Sequence, residues 1–344
     1  MRTVGNCERY WGQTVIMLPS LPELTSSARV VSLPLRQPFR GITSREALLF
    51  EGPQGWTEFS PFVEYDDIEA AAWLDGAIDF GWLAAPALFR SRIRVNATLP
   101  AVGPGAVAGV LDAFPGCRTI KVKVAQLGQV LADDVARVAA ARDYVGVEGR
   151  IRIDANGGWN VDEAEHAIHA LAGFDLEYVE QPCASVEELA DIRHRVKYMG
   201  IPVAADESVR KASDPLEVAR VGAADLLVIK AQPLGGIRAS LNIVAAAKLP
   251  VVVSSALDTS VGISMGAYLA AGIPELDYDC GLGTAALLAG DVTSSPLIPV
   301  DGAIEVRRVE VDAALLDRYA ASAERTAWWR ERLDRCHAVL AGRP

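Results

Sequence analysis

From residue 93 onward the chain repeats one pattern. A short run of β-branched and other apolar residues is followed by a longer stretch with apolar residues at helical spacing. The short runs are 93–98 (IRVNAT), 119–124 (TIKVKV), 151–154 (IRID), 177–180 (EYVE), 203–206 (VAAD), 226–230 (LLVIK), 250–254 (PVVVS) and 277–280 (DYDC). Consecutive runs begin about 23 to 32 residues apart, room for one strand, one helix and two short loops. The stretches between them carry helix signals. Asn160 and Glu163 have capping-box spacing, and Val161, Ala164, Ile168, Leu171 and Ala172 form an apolar stripe. Ser185 and Glu188 repeat the box ahead of Val186, Leu189, Ile192 and Val196. Asp214 precedes a first-turn proline, Pro215. Eight strands with helices between them predict a parallel TIM-like barrel of (β/α)7β type. An open doubly wound sheet uses the same elements, but no Gly-rich phosphate loop follows the first strand.

Residues 29–92 have a different rhythm. RVVSLPL, REALLFEG and GWTEFSP read as antiparallel strands turning at Gly41 and at Pro53-Gln54-Gly55, followed by the helical DDIEAAAWLDGAIDF. The expected organisation is an α+β capping domain over 1–92, a barrel over 93–300, and a helical segment over 301–344 that packs back on the cap. Residues 1–16 fit neither unit and read as a loose extension, with Met17 a plausible alternative start.

Composition narrows the partners. The 344 residues are 51% hydrophobic and 22% charged, as in globular domains. The net charge of -11, with no basic run, opposes nucleic acid and anionic membranes. No apolar stretch reaches the ~20 residues of a membrane span, and the N-terminus lacks a signal-peptide core. Five scattered cysteines without a CxxC read as reduced thiols in the cytoplasm, with neither a disulfide framework nor a zinc site. No obligate protein partner is implied.

The chemistry lies where the strands end, because barrel enzymes draw their catalytic groups from the C-terminal ends of strands. The second run ends in Lys121-Val122-Lys123, the third at Asp154, the fourth at Glu180, the fifth at Asp206 and the sixth at Lys230. The last four lie 26, 26 and 24 residues apart. Three carboxylates on neighbouring strands would repel one another unless a hard cation or the lysines neutralise them; all-oxygen donors point to Mg2+ rather than zinc. Lys121 and Lys123 share one face of their strand. Two adjacent ammonium groups should depress at least one pKa, which makes a lysine a competent general base. Lys230, four strands along, faces the other side of the cavity. Such a set suits removal of a proton α to a carboxylate.

The ordered motifs KVKVA, DANGGW, EQP, ADES and VIKAQPLGG resemble the enolase superfamily in its muconate-lactonising branch. GWTEFSPFVEY (55–65), SSALDTSVGI (254–263) and CGLGT (280–284) are similar to the o-succinylbenzoate synthases of actinobacterial type. The resemblance spans roughly residues 29–335. It implies that Asp154, Glu180 and Asp206 bind Mg2+, that Lys123 is the base, that Lys121 binds the carboxylate and tunes Lys123, and that Lys230 stabilises the enediolate. It places Asn156 and Glu207 behind the metal ligands. Ser254, Ser255 and the Gly281-Leu282-Gly283 backbone would line the substrate's succinyl tail. Loops at Phe39-Arg40-Gly41 and Glu58-Phe59-Ser60 would close over the site.

The implied activity is that of a hydro-lyase of menaquinone biosynthesis. It would be syn-dehydration of a small dicarboxylate, 2-succinyl-6-hydroxy-2,4-cyclohexadiene-1-carboxylate, to 2-succinylbenzoate. N-acylamino acid racemases and dipeptide epimerases share the same lysines and acids. Asp277-Tyr278-Asp279 superficially matches the epimerase pattern, whereas the CGLGT run matches the synthase. His166 and His169 read as helix surface, Trp328-Trp329 as a packing anchor, and Gln232–Gly236 as a loop entering a helix whose N-terminus could meet an anion.

Overall fold

The computed structural model describes residues 18–211 and 214–342; the proposed extension at 1–16 lies outside the described residues. After a short helix α1 (Leu21–Thr25), strands β1 (Arg29–Phe39), β2 (Ile42–Gly52) and β3 (Gly55–Phe59) form an antiparallel sheet, followed by helix α2 (Asp67–Trp82). β1 and β2 turn at Arg40-Gly41, whose φ angles of 50° and 77° suit a tight hairpin.

The second sheet is parallel and curls. Its strands are β5 (Ala97–Leu99), β6 (Thr119–Lys123), β7 (Arg150–Asp154), β8 (Leu176–Glu180), β9 (Val203–Ala205), β10 (Leu226–Ile229) and β11 (Val251–Val253), in sequential order. Around it run α3 (Val107–Leu111), α4 (Leu131–Val145), α5 (Val161–Leu171), α6 (Val186–Val196), α7 (Glu207–Arg210), α8 (Glu217–Arg220), α9 (Ile237–Ala247) and α10 (Ser260–Gly272). The capping boxes at Asn160/Glu163 and Ser185/Glu188 both form.

Two of the expected strands differ. The first run splits into β4 (Arg92–Arg94), which pairs antiparallel with β12 (Ala303–Glu305), and β5. The eighth is reduced to bridges: Cys280 pairs with Val95 and Gly281 with Ser254, and these two contacts close the barrel. The reason lies in DYDC itself. Asp279 turns to Thr119 Oγ1 (2.7 Å) and Arg94 Nε (2.8 Å), so the segment is held by side-chain bonds instead of a ladder.

Side-chain parity sorts the interior. Tyr178, Ala204, Leu226, Val228 and Val252 pack together as a plug inside the barrel. Each lies two residues before, or four before, a polar strand end, so Glu180, Asp206, Lys230 and Ser254 stand above that plug on the same inner face. The alternate residues Val122, Ile153, Val179, Ala205, Leu227 and Ile229 face outward into the main core beneath the helices.

Helices α11 (Ala313–Arg318) and α12 (Ala323–Ala341) complete the chain. Trp329, Leu333, Cys336 and Leu340 of α12 enter the cap's core beside Phe59 and Trp73. The cap is fastened to the barrel by two of its carboxylates at helix N-termini. Asp79 of α2 accepts from Ile237 N (2.9 Å) and Arg238 Nη1 (2.8 Å) at the start of α9. Glu58 of β3 accepts from Gly262 N (3.0 Å) and Thr259 Oγ1 (2.6 Å) at the start of α10. The anion met by the helix after Gln232–Gly236 is therefore the protein's own Asp79. No helix among the described residues is long and apolar enough to cross a membrane.

Candidate active site

The sheet register aligns the site. Lys123 lies beside Asp154, and Asp154 beside Glu180, while Asp206 stands two residues beyond Ala204, the neighbour of Glu180. All three acids are fully buried, and Lys121 and Lys230 are 6% and 8% exposed. Such charges are tolerable only if paired. Lys121 Nζ lies 2.7 Å from Glu180 Oε1 and 3.1 Å from Asp154 Oδ2. Lys123 Nζ lies 2.5 Å from Asp154 Oδ2 and 2.8 Å from Asn156 Oδ1. Lys230 Nζ lies 2.5 Å from Asp206 Oδ2.

These neighbours set the protonation. Burial opposes ionisation of Asp154 and Asp206, yet Lys123 and Lys121 hold the first well below the carboxylate range, and Lys230 and Arg210 hold the second down at about 2. Glu180 goes the other way: burial, then the Asp154 charge, push it up to about 7. Burial also works against Lys121, but Glu180 and Asp154 keep it well above the usual lysine value. Lys123 is lowered by burial and by Lys121 beside it, against the pull of Asp154. Of two lysines on one strand, one is a fixed cation and the other is shifted toward its neutral form.

The donor set fits a divalent ion. It is made only of carboxylate oxygens, and Glu180 Oε2 is buried without a hydrogen-bond partner. In this structure the lysines hold the acids, and among the described residues no three acids are arranged as a metal shell.

Two neighbouring motifs hold the acids in place. Asn156 and Gly157 both have positive φ (48° and 73°), a bend after Asp154 in which Asn156 N donates to Asp154 Oδ1 (3.0 Å). Asn156 Nδ2 then reaches Glu207 Oε1 at 3.3 Å. Gln181, fully buried, accepts from Asp206 N (2.9 Å) and Ser208 N (3.2 Å), so the glutamine of EQP positions the acid of ADES.

The flanking residues are sorted by the structure. A cavity of about 360 Å³ lies between the cap hairpin and the ends of β6 and β7, lined among others by Phe39, Arg40, Lys123 and Asn156. The Phe39 ring stands 5.6 Å from Lys123 Nζ. The Arg40 guanidinium turns back over the Phe62 ring (4.2 Å) and toward Glu64 (3.8 Å). Ser254, Ser255 and Gly281–Gly283 do not line that cavity. Ser255 Oγ donates to Gly281 O at 2.7 Å. A Cβ at Gly281 would meet Ser254 Oγ at 2.3 Å, so glycine is what lets these strand ends touch. The Leu282 side chain packs on Gly266 of α10, leaving only its backbone for the mouth. The 58–60 loop is an anchor instead of a cover: Glu58, Phe59 and Ser60 are fully buried, with Glu58 bound to α10. His166 and His169 are exposed, and His169 pairs with Tyr198 Oη (2.9 Å).

Comparison with known proteins places the chain in a family. Residues 30–81 match the "Enolase N-terminal domain-like" family model and residues 107–310 the "Enolase C-terminal domain-like" model. The o-succinylbenzoate synthase of Mycolicibacterium smegmatis is 52% identical over 324 residues, 94% of this chain and 99% of that protein. That of Mycobacterium tuberculosis is 52% identical over 325 residues, 94% and 98%. Among solved structures, muconate lactonizing enzyme from Pseudomonas fluorescens superposes with a TM-score of 0.74 at 19% identity, covering 86% of this chain and 98% of that one. The L-Ala-D/L-Glu epimerase from Bacillus subtilis gives 0.71 at 23% identity, covering 83% and 96%. These structural likenesses speak to the fold. The chain belongs to the enolase superfamily and, within it, to the o-succinylbenzoate synthases.

Proposed function

We propose that this chain is an o-succinylbenzoate synthase in which Lys123 is the base. The enzyme is a hydro-lyase that dehydrates 2-succinyl-6-hydroxy-2,4-cyclohexadiene-1-carboxylate to 2-succinylbenzoate. The observation that carries the roles is the placement of the lysines: Lys121 Nζ is held between Glu180 (2.7 Å) and Asp154 (3.1 Å), while Lys123 lines the cavity under Phe39.

Asp154, Glu180 and Asp206 would hold Mg2+, whose chemistry when bound is Lewis-acid stabilisation of negative charge on the substrate carboxylate. Lys121 would bind that carboxylate as a permanent cation. Lys123 Nζ would take the α-proton and then return a proton to the hydroxyl leaving from the same face, so one group serves both steps. Departure of water makes the ring aromatic, which drives the second step. Lys230, anchored on Asp206 across the barrel, would face the ring as a cation and stabilise the enediolate. Phe39 would exclude water above Lys123. The substrate is a dianion and the chain is strongly acidic, so Lys121, Lys230 and Mg2+ when bound would have to supply the local attraction.

Lys123→Ala tests the assignment of the base. Turnover should fall by about 10²–10⁴-fold, the range that general acid–base catalysis supplies, while Mg2+ affinity stays within a few-fold. Activity within tenfold of the parent would remove Lys123 from that role.

A further inference from the structure

Arg210 ends α7 and is 7% exposed. Its guanidinium serves three residues at once. Nε donates to Asp206 Oδ1 at 3.2 Å, Nη2 to Glu207 Oε1 at 2.7 Å, and Nη1 to Tyr65 Oη at 3.1 Å. Burial works against its charge, but Asp206 and Glu207 outweigh it and hold it as a cation.

Each partner leads further. Asp206 Oδ2 is the oxygen that holds Lys230 at 2.5 Å. Glu207 Oε1 also takes Asn156 Nδ2, and an amide turned that way presents Oδ1 to Lys123 at 2.8 Å. Tyr65 belongs to the cap, where its ring packs on Phe62 (5.6 Å) and Trp73 (6.2 Å). One guanidinium is therefore the junction of three polar chains, running to the lysines on opposite sides of the barrel and to the core of the cap. Only a planar fork with several donors can do this; an ammonium is a point charge without fixed directions.

We propose that Arg210 is a positioning residue that links seating of the cap to the working positions of Lys123 and Lys230. The kinetic part of this inference rests on the dehydration reading above. Arg210→Met should lower kcat by about 10–100-fold and weaken Mg2+ binding by a similar factor, the range found for groups behind metal ligands. Tyr65→Phe removes the hydrogen bond to the cap, leaving Glu69 Oε1 of α2 4.0 Å from Arg210 Nη1, and should lower kcat with Mg2+ affinity kept within threefold. The decisive readout is the double variant: on an Arg210→Met background, Tyr65→Phe should change kcat by less than twofold. An equal Tyr65→Phe effect on both backgrounds would overturn the proposal, as would kcat and Mg2+ affinity within threefold of the parent in Arg210→Met.

If Arg210→Met does not fold, Arg210→Lys replaces it, with the charge beside Asp206 kept and the same silence of Tyr65→Phe expected. If the parent itself shows no dehydration, that reading fails, and hydrogen exchange still tests Arg210. Mg2+ alone should slow exchange across residues 65–71 in the parent and not in the Arg210 variant; equal slowing in both would refute the link.

Discussion

Glu58 offers a test of how the cap is held. Its carboxylate is fully buried, yet it has four donors: Ser60 Oγ (2.6 Å), Thr259 Oγ1 (2.6 Å), Thr259 N (3.2 Å) and Gly262 N (3.0 Å). Burial, and next the charge of Asp258, outweigh these bonds and push it up from 4.5 to about 7. A carboxyl with a raised folded-state pKa favours folding fully below its unfolded value. That contribution is lost as pH rises through the folded value. From pH 5 to pH 8 the loss comes to roughly 2–3 kcal/mol.

Glutamine fits the same space. Its amide oxygen can accept from Thr259 and Gly262, and its amide nitrogen can donate to Ser60 Oγ. Glu58→Gln removes the titration while keeping the bonds. For a chain of this length, with an unfolding entropy of about 2.1 cal/mol/K per residue, the loss corresponds to about 3–4 °C. The assay is thermal unfolding of parent and variant from pH 5 to pH 8 at fixed salt and Mg2+. The variant's Tm should gain about 3–4 °C on the parent's across that window. A difference that stays constant to within about 1 °C, or moves the other way, would show that Glu58 does not titrate in this window.

Other expectations follow from packing. Gly281→Ala should lower Tm by the few degrees that overpacking of about 1–3 kcal/mol implies, and Ser254→Gly in the same chain should recover most of it. No recovery would mean that the clash lies elsewhere. Trp329 is fully buried, edge-on to Phe59 at 5.8 Å, with Nε1 donating to Glu46 Oε2 at 2.8 Å. Trp329→Ala should destabilise by about 3–5 kcal/mol, read in urea unfolding; a loss under about 1 kcal/mol would remove α12 from the cap's core.

What could be read from the sequence was periodic. The strand rhythm, the two capping boxes and the polar residue ending each inward face follow from local rules, and parity alone places Lys121 with Lys123. The fragmentary eighth strand was harder, because DYDC alternates like a strand while Asp279 is drawn off to Arg94 and Thr119. Roles set by distant partners left no local trace. Arg210 reads as an ordinary helix residue until Tyr65, 145 positions earlier, meets it, and Glu58 reads as part of a loop over the mouth until Thr259, 201 positions later, claims it. Gln181 lay inside a recognised motif, but its hold on Asp206 needed the register of β8 and β9.

Dehydration by a lysine base, with three acids that would hold Mg2+, is open to direct assay. Its most direct test is to give purified protein the cyclohexadiene dicarboxylate with Mg2+ and follow the benzoate chromophore. Stoichiometric 2-succinylbenzoate is expected, with loss of turnover on chelation and recovery on adding Mg2+ back. Absence of product with Mg2+ demonstrably bound would contradict it, as would turnover that chelation leaves unchanged.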